Sequence, residues 1–121
     1  MFLHGRKTAD GKHLLLSGKA DIPGQGQRLA EVLTGYDFGE KKLRWVGGDN
    51  FGFWGNGVGE LLDPNHLRVV IEGQPDGKAL REVIDFFWKN SKTIEVKQVI
   101  TLDGEVQARI EGTWVRKRMP F

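Results

Sequence analysis

The sequence predicts an all-β protein, an antiparallel up-and-down meander of about eight strands that forms a closed or partly open barrel. Three observations carry this prediction. Apolar and polar residues alternate along several segments, which is typical of half-buried strands. Turn signals recur about every 8–12 residues, the spacing found in sandwiches and barrels. Glycine makes up 17 of the 121 residues, about twice its usual share, and it accompanies Trp, Phe, Val and Ile, as in sheet turns and bends.

The strands follow one another along the chain, and six of the eight are preceded by a turn signal. Strands are predicted at residues 13–22, 28–36, 41–46, 51–62, 66–72, 79–89, 93–103 and 105–114. The turns are predicted at Asp10-Gly11, Pro23-Gly24-Gln25-Gly26, Gly47-Gly48-Asp49-Asn50, Asp63-Pro64-Asn65, Pro75-Asp76-Gly77 and Asp103-Gly104. Since every connection is short, neighbouring strands must be antiparallel. No linker divides the chain, so residues 1–121 form one domain, with residues 1–12 as a loose N-terminal segment.

Two segments need a separate argument. Residues 77–88 match helical spacing, but the run Phe86-Phe87-Trp88 and the adjacent partner strand favour a strand. The last two strands form the clearest hairpin, because period-two alternation continues on both sides of Asp103-Gly104, and both of these residues tolerate positive φ.

Composition excludes several classes of protein. A net charge of +2 and a pI of about 9.0 reflect near balance and do not predict a nucleic-acid partner. The chain has no cysteine, so it has no disulfide, thiol nucleophile or thiolate metal site. Its apolar runs are far shorter than the roughly 20 residues of a membrane span. No secretory signal opens the chain, and a cytoplasmic location is expected.

Several short motifs occur in a familiar order. They are Gly35-Tyr36-Asp37, Lys42-Leu43-Arg44-Trp45, Phe53-Trp54-Gly55, Leu67 to Gly73, and the closing run Ile110 to Lys117. Between about Leu14 and Lys117 the chain resembles small bacterial lipocalin-like (calycin-type) barrel proteins of unassigned function. Members of that group usually begin with a Gly-x-Trp strand, which this sequence lacks, so either residues 2–4 replace it or the barrel is open at that edge. The resemblance implies a barrel with an apolar cavity and brings no catalytic residues.

The aromatic residues provide the main functional hypothesis. They lie on different predicted strands, so a barrel would bring them to one interior, where they either line a pocket or fill the core. Two polar residues, Gln98 and Arg116, continue apolar rows and are expected to orient a ligand, to bond internally or to reach the barrel mouth. The candidate ligand-binding residues are Trp45, Phe51, Phe53, Trp54, Trp88, Gln98, Trp114 and Arg116.

Patterns for catalysis and metal binding are weak. The spacing of His4, His13 and His66 along the chain does not match a metal-binding motif, so no metal is predicted. His66 is expected to face solvent. No other cofactor is predicted. No phosphate loop or nucleophile elbow is present, and no residue is assigned as catalytic. Glu82, on an apolar row, and Asp85, among aromatics, are the acids to consider for proton transfer.

Three functions remain open. The favoured one is non-enzymatic binding of a small apolar or amphipathic ligand in a barrel cavity. A second is a structural or interaction module with a packed core, and a third is a proton-transfer or isomerase-type enzyme. The Phe86-Phe87-Trp88 strand carries bulk on both faces, which predicts a covering segment or a homodimer through this strand.

Overall fold

The computed structural model describes residues 2–22 and 24–115, which form one antiparallel sheet with the strands in chain order. The sheet is an open, strongly curled half-barrel, so the predicted all-β meander is confirmed. It has nine strands where about eight were predicted. The strands are β1 Phe2–Lys7, β2 His13–Ile22, β3 Gly26–Asp37, β4 Lys42–Asp49, β5 Trp54–Asp63, β6 His66–Gly73, β7 Leu80–Trp88, β8 Thr93–Leu102 and β9 Glu105–Val115.

The additional strand is β1, which pairs with β2. In the described part of the chain β1 and β9 are the two edges and do not pair with each other. The N-terminal segment therefore adds a strand, and the barrel is nevertheless open. Pro75–Gly77, a single 3-10 turn, is the one helical piece of the described residues, and no helix among them is long and apolar enough to cross a membrane.

One predicted turn is wrong: Gly47, Gly48 and Asp49 belong to β4, and the turn lies at residues 50–53, where the Asp49 side chain accepts hydrogen bonds from Phe51 and Phe53 N–H and Gly52 has φ of 90°. The last hairpin has the turn that its sequence predicts. Asp103 and Gly104 have φ of 48° and 83°, so both adopt the left-handed conformation required by the two-residue hairpin between β8 and β9. The segment predicted at residues 79–89 is a strand and not a helix, and it forms β7, Leu80–Trp88.

Side chains on one side of the sheet, here called the inner face, form the core. The buried apolar residues are Leu67, Val69, Ile84, Phe86 and Val96, all on β6, β7 and β8. Rings from more distant strands pack over them, since the ring centroids of Trp45 and Trp114 lie 6.3 and 5.8 Å from that of Phe86. Packing among these three rings is their evident structural role.

Glycines leave the inner face of β5 bare and allow this packing. Gly55, Gly57 and Gly59 are buried there. A Cβ atom built on Gly57 would lie 3.0 Å from Ile71 and 3.1 Å from Trp45. Side chains of β4 and β6 thus lean over the β5 backbone from both sides, which is compatible with the tight curl of the sheet at these glycines.

The bulk on both faces of β7 has an explanation within the chain. Phe86 lies in the core, while on the outer face the ring of Phe87 stacks on His66 at a centroid distance of 4.3 Å. Asp85 holds His66 in place by accepting a hydrogen bond at 2.6 Å and also bonds Arg68 at 2.8 Å. A second subunit is therefore not required to cover this strand, and the homodimer through it stays a prediction.

Replacing Gly73, the last residue of β6, should destabilise the fold. A Cβ at Gly73 would lie 2.5 Å from Phe53 Cε2 and 2.8 Å from the backbone oxygen of Trp54. We expect Gly73→Ala to lower the free energy of unfolding by about 1–3 kcal/mol through overpacking, measured by urea denaturation. Gly112, a β9 glycine with open space around its Cβ position, is the control, and Gly112→Ala should leave stability unchanged or raise it by up to about 1 kcal/mol. Equal stability of the two variants would contradict the close approach of Phe53 and the Trp54 backbone to Gly73.

Candidate functional site

The inner face contains a half-enclosed cavity of about 50 Å³ between β3, β4, β5 and β7. Four glycines of β4 and β5 form part of its wall, because their missing side chains leave this volume unfilled. The larger side chains around it are Arg28, Val32, Trp45, Phe53, Ile71 and Glu82. The cavity therefore combines two aromatic rings with a cation and a carboxyl group.

Glu82 is the most unusual residue of this cavity, since it is only 6% exposed. Its Oε2 accepts a hydrogen bond of 3.0 Å from Gln98 Nε2. Gln98 reaches it diagonally across the β7–β8 ladder, because Ile84 is its direct partner in the register. Burial raises the pKa of Glu82 above its ordinary value of 4.5, although Arg28 and the Gln98 hydrogen bond act in the opposite direction.

Arg28 is held at the cavity by an ion pair. Its Nε donates to Asp49 Oδ2 at 2.9 Å, and the Asp49 side chain is only 5% exposed. The other oxygen of Asp49 accepts from the backbone N–H groups of Phe51 and Phe53 at 2.9 and 3.1 Å. One carboxylate therefore fixes both the guanidinium and the turn that carries the Phe53 ring.

Two buried polar atoms near this pair have no hydrogen-bond partner among the described residues. They are the indole Nε1 of Trp45 and Oγ1 of Thr34, which lies directly opposite Trp45 in the β3–β4 register. A buried polar group without a partner costs free energy. One indole donor and one hydroxyl thus stay unsatisfied among the described residues.

The volume of the cavity limits what it encloses. A cavity of about 150 Å³ is needed for a benzene-sized molecule, whereas one water needs about 10–15 Å³. The observed 50 Å³ therefore suits a small polar group and not a ring. Two larger depressions, of about 430 and 550 Å³, are shallower and have no buried charged group.

The structure gathers part of the predicted site. Trp45 and Phe53 line the cavity, Gln98 reaches it through Glu82, and Trp114 lies nearby in the core. Phe51, Trp54 and Trp88 are exposed, Trp54 by 73%, and lie outside the cavity. Arg116 lies outside the described residues. Arg28, Thr34 and Asp49 were not predicted from the sequence as site residues. Arg28 and Thr34 alternate in step with Val32 along β3 and therefore face the same side of the sheet, which was the available signal for these two.

The histidines do not converge. His13 bonds Asp10 at 2.9 Å in the turn before β2. His66 was expected to face solvent, but its side chain is mostly covered, between Asp85 and the Phe87 ring. Partial burial acts to raise the pKa of Asp85, yet the hydrogen bonds from Arg68 and His66 outweigh it and lower that pKa. Over residues 2–22 and 24–115 no three potential ligands form a metal-binding group.

Comparison with known protein families and with curated proteins gives no match for this sequence.

The raised pKa of Glu82 predicts a pH dependence of stability. The folded protein holds this proton more tightly than the unfolded chain, so the contribution of Glu82 is fully present below pH 4.5 and is lost as the pH rises through the raised pKa. We expect wild-type stability to fall over that window and Glu82→Gln to remove this part of the profile, measured by urea unfolding at a series of pH values. The exposed Glu60 on β5 gives the control Glu60→Gln, which should keep the wild-type profile. A Glu82→Gln profile with the wild-type slope would contradict the burial argument.

Proposed function

We propose that the protein is a non-enzymatic binding protein that takes a small amphipathic ligand on its inner face. The observation that carries the proposal is the polar set around the cavity: buried Glu82, the Arg28–Asp49 ion pair, and the indole N–H of Trp45 without a partner. Folding alone does not call for these groups, since apolar side chains of similar volume pack as well or better in such positions. A lipocalin-like relationship is part of the same proposal, and the curled meander with an inward site supports it.

The chemistry of the cavity defines the polar end of the ligand. Arg28 is already neutralised by Asp49, so the cavity offers no unpaired positive charge for a carboxylate or phosphate. Trp45 donates a hydrogen bond and Glu82 accepts one when ionised. A neutral group that both accepts and donates, such as a hydroxyl or a primary amide, fits these partners and the 50 Å³ volume.

The apolar part of the ligand needs a path out of the cavity along the inner face. Val32 lines the cavity, and Leu16 lies opposite Val32 in the β2–β3 register, with Leu14 opposite Thr34. Leu14 is 42% exposed and Tyr36, also inward, is exposed as well. These side chains form an uncovered apolar strip beside the cavity, where burial of an alkyl chain contributes about 0.8 kcal/mol per CH₂.

A second candidate is a proton-transfer enzyme, because Glu82 meets its main requirement. Glu82 lines the cavity and its pKa is raised, as expected of a general acid or base at near-neutral pH. Asp85 does not take this role, since it lies on the outer face between Arg68 and His66. The fate of the ligand separates the two candidates: a binding protein releases it chemically unchanged, whereas an enzyme converts it, and Glu82→Gln should abolish that conversion.

Binding of alkanols tests the proposal that the polar end of the ligand is a neutral group such as a hydroxyl. We expect 1-decanol to bind, to shift tryptophan emission to the blue, and to bind better than decanoate. Trp45→Phe removes the indole N–H and should weaken binding roughly threefold to tenfold and lose most of the spectral response, measured by fluorescence and calorimetry. Trp54→Phe, at an exposed ring outside the cavity, is the control and should retain both. A response lost in the Trp54 variant and kept in the Trp45 variant would place the ligand elsewhere.

Two matched leucines test the apolar strip. Leu14 and Leu29 are both 42% exposed but lie on opposite faces, because Leu14 pairs with Thr34 of the inner face while Leu29 pairs with Lys19. We expect Leu14→Asn to weaken 1-decanol binding severalfold, with a larger loss for longer alkanols, and Leu29→Asn to leave it unchanged. Calorimetry across a chain-length series measures this, and equal losses for both variants would count against an inner-face path.

A further inference from the structure

The turns of the meander divide between the two ends of its strands, because successive strands run in opposite directions. One end, here called the lysine rim, carries the turns at residues 8–12, 38–41, 64–65 and 89–92. The other end, here called the opposite rim, carries the connections from β2 to β3, β4 to β5, β6 to β7 and β8 to β9. Turns on one rim are two strands apart, about 10 Å at the usual strand spacing, so each rim forms one continuous surface.

The two rims differ in charge. The turns of the lysine rim contain more lysines than acids, whereas the opposite rim has the reverse balance. The residues concerned are Lys12, Lys41, Lys89 and Lys92 with Asp10 and Glu40 on the lysine rim, and Lys78 with Asp76 and Asp103 on the opposite rim. Lys89 pairs with Glu95 at 3.3 Å, but no ion pair among the described residues involves any of the other lysines of this rim's turns. The lysine rim therefore presents a net positive charge.

The lysine rim also exposes large apolar side chains. Phe38 is 83% exposed, the highest value of any large apolar side chain among the described residues. Leu61 near the end of β5 and Trp88 at the end of β7 are exposed as well. The opposite rim exposes Phe51 and Trp54, so it is the combination with positive charge that distinguishes the lysine rim. Exposed aromatic and aliphatic side chains among lysines are typical of surfaces that bind anionic lipid.

The turn between β3 and β4 holds its exposed ring and its lysine in fixed positions. Asp37 Oδ1 accepts hydrogen bonds of 3.0 and 3.1 Å from two backbone N–H groups of this turn. The Phe38 ring packs edge-to-face on Tyr36 at a centroid distance of 5.0 Å. Lys41 has φ of 56°, the left-handed conformation in which glycine costs least. The turn thus keeps a lysine where glycine would be more stable, and this lysine adds positive charge beside the exposed ring.

A shallow depression of about 550 Å³ lies on the same rim, between the β5–β6 and β7–β8 turns. Leu61, Pro64 and Trp88 line it together with Lys89. A hydrogen bond of 2.9 Å from Trp88 N–H to the backbone oxygen of Asn65 joins the two sides. This part of the rim therefore also places apolar side chains beside a lysine on an ordered backbone.

We propose that the lysine rim docks the protein on the surface of an anionic lipid bilayer, with Phe38 in the acyl boundary and the lysines at the headgroups. This interaction goes beyond the proposed ligand binding and does not depend on it. Lysines without an apolar anchor, or an apolar anchor without charge, bind membranes weakly, whereas the two together give stable attachment. Docking through the strand ends leaves the inner face and its cavity uncovered.

Sedimentation with lipid vesicles tests the proposal. We expect the protein to sediment with phosphatidylcholine vesicles that contain phosphatidylglycerol, to stay in solution with pure phosphatidylcholine, and to be released by salt, which screens exposed charges. Phe38→Ser should weaken binding roughly tenfold or more, because one ring is no longer buried. Phe51→Ser, at an exposed phenylalanine of the opposite rim, is the matched control and should bind as wild type. Absence of binding to the anionic vesicles, or equal losses in the two variants, overturns the proposal.

Lys41→Gly separates lipid binding from folding. Because φ of 56° favours glycine, this variant should be at least as stable as wild type in urea denaturation. It should nevertheless bind the anionic vesicles roughly fivefold more weakly, the effect of one lysine near an anionic surface. Lys78→Gln, at an exposed lysine of the opposite rim, should keep wild-type binding.

Two results would overturn the assignment of the lysine rim to lipid. The first is a Lys41→Gly variant that binds the anionic vesicles as tightly as wild type. The second is a wild-type dimer in sedimentation equilibrium that Phe38→Ser dissociates, since the rim would then bind a second copy of the chain. We expect instead a protein whose oligomeric state is the same in wild type and in Phe38→Ser.

Discussion

The fold depends on the close approach of side chains over the bare backbone of β5. With no side chains on the inner face of Gly55, Gly57 and Gly59, Trp45 of β4 and Ile71 of β6 both approach the strand between them, to 3.1 and 3.0 Å from the position of a Cβ on Gly57. This contact bends the sheet, and the bend brings the rings of Phe86 and Trp114 within packing distance of Trp45. Larger side chains on β5 would hold these strands apart and flatten the sheet, because interiors tolerate little overpacking.

The same glycines also account for the position of the candidate site. Where the rings do not fill the space that the glycines leave, a small cavity remains, and polar groups from β3, β4 and β7 surround it. Arg28 is fixed by Asp49, and Glu82 by Gln98, so the charges are placed before any ligand arrives. Preorganised polar groups of this kind reduce the ordering cost of binding. The curvature of the sheet and the candidate cavity therefore both result from the absence of side chains on the inner face of β5.

Local signals in the sequence were sufficient for most of the fold and for little of the site. Strand β2 matches its predicted bounds, and the Asp103-Gly104 hairpin has its predicted conformation, because alternation and turn chemistry act over a few residues. The openness of the barrel was undecided, since closure depends on whether the first and last strands meet. The Arg28–Asp49 pair joins residues 21 positions apart, so only the β3–β4 register reveals it. The aromatic residues looked alike in sequence, but Trp45 is half-buried on the inner face, whereas Trp54 lies on the outer face of β5 and is exposed.

The openness of the sheet also affects how the chain folds. Within residues 2–22 and 24–115 every strand pairs only with its neighbours in sequence. Each pairing is a hairpin closed by a short loop, which costs little chain entropy. A closed barrel of the same strands would require the two ends of the chain to find each other, the slowest and most entropically expensive contact available to it. This topology gives the sheet a lower contact order than a closed barrel, and proteins with lower contact order fold faster. The open edges thus remove the step that would limit the folding rate.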